Sequence, residues 1–339
     1  MAGELDYTFP AMGSDVHLLI GRPLHPGAPP APQAADRERE FVLAFAHRLS
    51  RFSPDSELSA LNRDPHSRVA ASALLRAAVS AGVWAANRSG GLVDPTLVRA
   101  LERSGYFSSL DGAIPAPLQE ALAHAPTRRA ARPHPKALWR AIAVDEEAGV
   151  IVRPPGLMID TGGTGKGLCA DAVAHRLRPY TRFVIDCGGD IAVGGVGAQL
   201  EPYEIAVEHP ISGESIGVVR LAKGGVATSG LNVRIWRNRD ESFGHHLLDP
   251  STGGPAWTGL VGATAIGDSA LEAETLSKMA LLLGPERARQ VLAEHGGVII
   301  HDNGDVEAIG PIDGRIDGKR VPRMVASTQG RPAHAGDGR

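Results

Sequence analysis

The stretch DTGGTGKG, Asp160 to Gly167, sets Lys166 among Gly162, Gly163, Gly165 and Gly167. Glycines let backbone N–H groups come close to a ligand, and a helix N-terminus favours anions. A lysine beside them adds a point charge on a phosphate. A nucleotide-hydrolysing phosphate loop, however, needs a glycine six positions before the lysine and serine or threonine straight after it. Asp160 and Gly167 stand there instead. Asp160 would also put a carboxylate where phosphate must approach. The segment reads as an anion-binding turn into a helix and not as an NTPase loop. A plain turn with an exposed lysine fits the same residues.

Other small polar, glycine-rich motifs recur along the chain. They are AMGSDV (11–16), RFSPDSELSALN (51–62), GGLVDPTL (90–97), CGGDI (187–191), VATSG (226–230) and HHLLDPSTGGP (245–255), with a helical stretch at 269–284. Their order and spacing resemble the ApbE family of FAD:protein FMN transferases, from about Tyr7 to Leu292. The H-x-x-D-P-x-T-G match at His246 to Gly253 and the G-G-x-x-K-G match at Gly162 to Gly167 are the most specific. The resemblance implies an α+β fold, with mixed or antiparallel sheets, flanking helices and FAD in a cleft between lobes. It implies transfer of the FMN half of FAD to a threonine or serine hydroxyl of an acceptor protein, with AMP leaving. Flavin binding without transfer, and hydrolysis of FAD to FMN and AMP, are the competing readings. Attack on a pyrophosphate needs charge neutralisation, an activated hydroxyl and an aligned phosphorus. In the family, magnesium supplies part of the first.

The resemblance assigns roles residue by residue. His246 is the catalytic candidate, because a neutral imidazole accepts a hydroxyl proton near pH 7; a structural histidine bonded to a neighbouring loop is the alternative. Met12, Phe52, Leu92, Val93, Asp94, Asp160, Lys166 and Leu248 match positions that contact FAD. Phe52 would stack on a ring, and Asp94 would accept hydrogen bonds from the adenine amino group or a ribose hydroxyl. Asp249 and Thr252 read as shaping the turn that holds His246. Gly188, Gly189 and Asp190 read as structural, and Thr228 has no definite role. Gly163 would offer a carbonyl, and Glu274 a carboxylate, to Mg2+.

This last position departs from the family. Where the family has A-D-A-L-A-T, this chain reads AETLSK, with Glu274 for the aspartate and Lys278 for the threonine. Glutamate is a hard oxygen ligand. A protonated lysine has three donors and no acceptor. Either the two form an exposed i,i+4 ion pair, or the Lys278 ammonium stands near the metal position and weakens or replaces magnesium.

Composition narrows the class. The 339 residues are 43% hydrophobic and 22% charged, with a net charge of -3, enough for a sizeable core and no basic bias towards nucleic acid. Cys169 and Cys187 are too few for a disulfide framework and read as reduced core thiols. There is no membrane-length apolar run. The N-terminal MAGELDYTFPAMGS has no signal-peptide pattern, so a cytoplasmic location is expected.

The elements that must position these residues form one domain over 1–324, with loop-rich inserts at 21–35 and 108–136 and a disordered tail at 325–339. A strand should close the stretch 5–20. Helices are expected at Asp36–Arg51, 70–88, Gly167–Leu177 and Ser269–Gly284, the last with a Ser269/Glu272 capping box. A hairpin about Glu146–Gly149 should lead into a strand ending at Asp160, and RFVIDCGGD should be a buried strand and turn.

Overall fold

Along Phe183–Cys187, adjacent residues face opposite ways, and each face finds its own core. Ile185 and Cys187, with Ala192 of the next strand, join Val42, Phe45 and Leu49 and the buried Cys169, Ala170 and Val173. Val184 and Val193 join the opposite cluster with Ile205, Val207 and Val219. The computed structural model describes residues 4–108, 116–238, 240–316 and 318–321; residues 325–339 and part of the second insert lie outside these.

The central sheet has eight strands in the order Leu5–Ala11, Ser14–Ile20, Phe183–Cys187, Asp190–Gly194, Gly224–Gly230, Leu260–Gly267, Gly297–His301 and Val306–Ile309. Every neighbouring pair is antiparallel. Helices Ala31–Leu49, Ala73–Arg88 and Gly165–Arg176 contribute to one core cluster. A four-stranded antiparallel sheet, which includes Tyr203–Glu208 and Ser215–Leu221, contributes to the other. The class is α+β, as the resemblance implies.

Helix Ala270–Leu283 packs on the sheet at its two glycine-rich strands. A Cβ on Gly225 would meet the Ala270 nitrogen at 2.4 Å, and one on Gly267 the Ala273 nitrogen at 2.7 Å. Glycine at both places lets the helix backbone touch the sheet. The helix start is capped as the sequence indicates: Ser269 Oγ accepts the Glu272 N–H at 3.2 Å. The Glu272 carboxylate, however, takes the Asp268 N–H and not that of Ser269. Asp171, from the neighbouring helix, accepts the Ala270 and Leu271 N–H groups at 2.8 and 3.0 Å. Replacing Ser269 by alanine should therefore cost only about 1 kcal/mol, read as a lower urea midpoint at unchanged slope.

Three boundaries differ from expectation. The stretch 5–20 is a hairpin and not one strand; it turns at Met12 and Gly13, both at positive φ (53° and 69°). Such values suit the two-residue turns that match strand twist. The first long helix starts at Ala31, five residues inside the presumed loop. Its prolines do not break it, because Pro30 is the N-cap and Pro32 lies in the first turn, where no N–H partner is needed. Residues 153–160 form no strand. Pro154 and Pro155 remove two donors, and Asn62 pairs with the Ile159 backbone through both its amide atoms at 2.8 Å. Cys169 and Cys187 are free and buried, as expected. No described helix is long and apolar enough to cross a membrane.

Candidate functional site

Two adjoining hollows share Arg51, Phe52, Tyr106, Asp160, Gly162 and Arg234 and together make one cleft. Met12 and Lys166 line one side; Leu92, Val93, Asp94, Gly163, His246, Leu248 and Lys278 line the other. Segments far apart in sequence thus converge on one place. Of the catalytic, FAD-contacting and metal candidates read from sequence, Glu274 alone does not line the cleft; Gly188, Gly189, Asp190, Thr228, Asp249 and Thr252, read there as structural or without a role, do not line it either. Glu274 is 1% exposed and lies behind Lys278.

The glycine loop is bound at both ends. The Asp160 N–H donates to the Pro95 carbonyl at 2.8 Å, and the Asp160 carboxylate accepts the Gly162 N–H at 3.1 Å. Helix Gly165–Arg176 begins directly after, and its first N–H groups are largely engaged: Gly165 donates to the Thr161 carbonyl at 2.7 Å and Gly167 to Glu274 Oε2 at 2.9 Å. Lys166 Nζ reaches the Gly188 carbonyl at 3.4 Å. Gly188 and Gly189 sit at positive φ (67° and 91°), and a Cβ on Gly188 would lie 2.7 Å from Lys166 Nζ, so the structural reading of this pair holds. Burial pushes the Lys166 ammonium below its ordinary pKa, with Asp190 opposing the shift.

Asp190 is more than a turn residue. It is 5% exposed and its pKa is pushed up to about 8, first by burial and next by Glu274. Lys166, Lys278, Asp190 and Glu274 form one charge cluster under the loop. Asp94 binds the Thr96 N–H and hydroxyl through Oδ1 at 2.8 and 2.6 Å, while its buried Oδ2 has no partner. Burial raises its pKa. An orphaned buried acceptor in a cleft wall suits a ligand donor.

An aromatic wall went unread in the sequence. Phe52 meets Tyr106 edge-on at 5.3 Å, and Tyr106 stacks on Trp236 at 5.6 Å. The Arg51 guanidinium lies 4.1 Å from the Phe52 ring centre and donates to the Tyr106 carbonyl at 2.7 Å. Tyr106 and Arg234 belong to none of the motifs, and Arg51 opens the 51–62 stretch without a chemical signal of its own. Only the adjacency of Arg51 to Phe52 hinted at one of them.

His246 is partly exposed, and its Nδ1 faces the Arg234 carbonyl at 3.4 Å. An Nδ1–H donated there leaves Nε2 as the acceptor. Burial, then the Arg234 guanidinium, holds the imidazole well below its ordinary pKa. The turn after it is built as its residues suggest. Asp249 Oδ1 accepts the Ser251 and Arg132 N–H groups, both at 3.0 Å, and Thr252 Oγ1 accepts the Gly254 N–H at 3.3 Å.

His245 is its opposite. It is fully buried, lies edge-on to Trp257 at 4.7 Å, and has no hydrogen-bond partner on either ring nitrogen. Burial lowers its pKa from 6.5 to about 3. A folded value below the unfolded one means that the unfolded chain binds more protons, so stability is intact above pH 6.5 and falls as the pH drops toward 3. At pH 5 the loss from this residue is about 2 kcal/mol. His245→Leu should shrink the drop in Tm between pH 7 and pH 5; equal drops in variant and wild type would refute the assignment.

The Glu274–Lys278 pair is not the exposed pair that helical spacing alone allowed. The Nζ to Oε1 distance is 2.7 Å, with side-chain exposures of 13% and 1%. Glu274 Oε2 accepts the Gly167 N–H at 2.9 Å. Both carboxylate oxygens are therefore engaged, and the position four residues on presents donors only. Among the described residues no three His, Cys, Asp or Glu side chains group to hold a metal. This donor set does not fit the magnesium site that the resemblance implies.

Comparison with known proteins agrees with the geometry. A family model described as the ApbE family matches residues 12–300. A FAD:protein FMN transferase of Klebsiella pneumoniae (strain 342) is 32% identical over 146 residues, 42% of this chain and 41% of that one. One from Treponema pallidum (strain Nichols) is 29% identical over 236 residues, 61% of this chain and 65% of that one. The matched stretch thus spans about two fifths of the first relative's length. The crystal structure of the ApbE protein from Thermotoga maritima superposes with a TM-score of 0.72 at 23% identity, covering 90% of this chain and 97% of that one. The apo flavinyl transferase ApbE of Pseudomonas stutzeri gives 0.70 at 22% identity, covering 90% and 94%. At such identities the superpositions speak for the fold. With its family match across most of the length and its motifs gathered in one cleft, the chain belongs to the ApbE family.

Proposed function

We propose that this chain transfers the FMN moiety of FAD to a threonine or serine hydroxyl of an acceptor protein and releases AMP. The observation that carries the reading is the convergence of His246, Lys166, Asp94 and Phe52 on one cleft. The names of the relatives, FAD:protein FMN transferases, support it.

The chemistry follows from the side chains. FAD lies with a ring against Phe52 and Tyr106 and with apolar contacts from Met12, Leu92, Val93 and Leu248. Asp94 Oδ2 takes a hydrogen bond from the adenine amino group or a ribose hydroxyl. Asp160 shapes the loop that carries Lys166, and Lys166 and Arg234 offset pyrophosphate charge. The acceptor oxygen attacks the phosphorus of the FMN half as its proton passes to His246 Nε2. The P–O bond to AMP breaks, and AMP leaves with the electron pair.

The test is to mix the protein with FAD, magnesium and a candidate acceptor that displays a threonine. In-gel flavin fluorescence on the acceptor, with AMP in equal amount, is the expected result. AMP and free FMN without labelling would mean hydrolysis. Intact bound FAD would mean a binding protein. No flavin binding would end the reading.

A further inference from the structure

We infer that the Lys278 ammonium is the resident cation of this cleft, and that flavin transfer here runs without a divalent metal. The inference rests on the transferase reading above.

Three observations carry it. First, each oxygen of the Glu274 carboxylate already accepts a hydrogen bond, so neither is a bare metal ligand. One oxygen holds Lys278 Nζ at 2.7 Å, and the other holds the Gly167 N–H at 2.9 Å. Second, the pair is built in. Glu274 is 1% exposed, and the Lys278 side chain only 13%, yet Lys278 lines the cleft together with His246 and Gly163. A buried charge of this kind persists because its partner compensates it. Third, further cations already stand beside the pair, together with the buried Asp190. Lys166 and Arg234 line the same cleft, and both Arg234 and Lys278 bear electrostatically on Lys166. A divalent ion at the Glu274 carboxylate would have to expel an ammonium and then stand among further positive charges.

The replacement is chemically sufficient. The pyrophosphate of a dinucleotide carries two negative charges. Lys278, Lys166 and Arg234 supply three positive ones, of which the Glu274 carboxylate offsets one, leaving two. A fixed ammonium at 2.7 Å from its anchor is preorganised, so it does not reorganise as charge develops. One of its three donors is held by Glu274, and the other two can bind phosphate oxygens directly. No redox step and no second reactant are needed. Lys278 neutralises charge while His246 takes the proton.

The experiment compares the wild-type protein in excess EDTA and in excess magnesium. Equal rates of acceptor labelling are expected. Loss of labelling in EDTA with recovery on adding magnesium would overturn the inference. Lys278→Met should lower labelling about a hundredfold in either buffer. Because that change leaves Glu274 an uncompensated buried charge, the double variant Glu274→Gln/Lys278→Gln is made as well; it keeps a side-chain pair of similar size without the charges. Labelling by this double variant at the wild-type rate would also overturn the inference.

A second readout needs no activity. Free Mn2+, followed by its paramagnetic resonance signal, should be undiminished by the wild-type protein with FAD present. It should be depleted by Glu274→Asp/Lys278→Thr, which restores two oxygen ligands on one helix face. Depletion by the wild type would sink the idea. Flavin fluorescence quenching separates the two levels: if the wild type fails to bind FAD, the transferase reading fails, and the manganese arm still decides whether Glu274 accepts a metal.

Discussion

Replacing His246 by alanine should cut acceptor labelling about a thousandfold while FAD still binds. Among the described residues the histidine is the one imidazole lining the cleft. Its Nδ1 faces the Arg234 carbonyl at 3.4 Å, which orients the ring and leaves Nε2 to take the hydroxyl proton. Burial and Arg234 hold its pKa well below the ordinary value, so the base stays neutral as the pH falls through the usual histidine range. The wild-type rate should therefore not fall on going from pH 7 to pH 6, as it would for an ordinary histidine base. FAD affinity by fluorescence quenching should change little, because the proposed FAD contacts of Phe52, Tyr106, Lys166 and Asp94 are left unchanged. A variant that labels the acceptor within tenfold of wild type would remove His246 from the mechanism.

Gly167→Ala should destabilise the protein by about 3 kcal/mol, lowering Tm by roughly 4 °C. This glycine lies where helix Gly165–Arg176 meets helix Ala270–Leu283. A Cβ there would lie 2.7 Å from the Ala270 carbonyl oxygen, 2.8 Å from its carbon and 2.8 Å from Glu274 Oε2. Two of those atoms are backbone, so the helices must move apart. The hydrogen bond from the Gly167 N–H to Glu274 would stretch, and with it the support of Lys278. Gly156→Ala is the control. It has positive φ (73°) but open space around it, so it should cost only about 1 kcal/mol. If the two variants melt together, close helix contact is not what glycine serves at 167. The motif glycine at this position is thus a packing residue as well as part of the glycine loop.

Much of the site was legible because its signals are local. Ser269 announces a helix start through an interaction that spans three residues, and the structure has that cap. The turn after His246 is equally self-contained, since Asp249 and Thr252 bond backbone groups within three positions. The glycines of Asp160–Gly167 and the spacing of Glu274 and Lys278 could likewise be read directly. Prolines misled at 29–32, because the same residue that breaks a helix interior is well placed in its first turn.

Sequence alone determined the family's motifs, the class of fold and the i,i+4 spacing of Glu274 and Lys278. All of these follow from short-range spacing or from motif order. Only the tertiary structure decided what those residues do to one another. It brought Arg51, Tyr106 and Arg234 from three separate segments into one wall of the cleft. It buried His245 and left His246 facing the cleft, although the two are adjacent. It also took the Glu274–Lys278 pair out of water, by laying its helix on two glycine-rich strands and against Gly167. The physical reason is that burial is set by long-range packing. An ion pair worth a few tenths of a kcal/mol in solvent becomes, once enclosed beside a cleft, a fixed charge that chemistry can use.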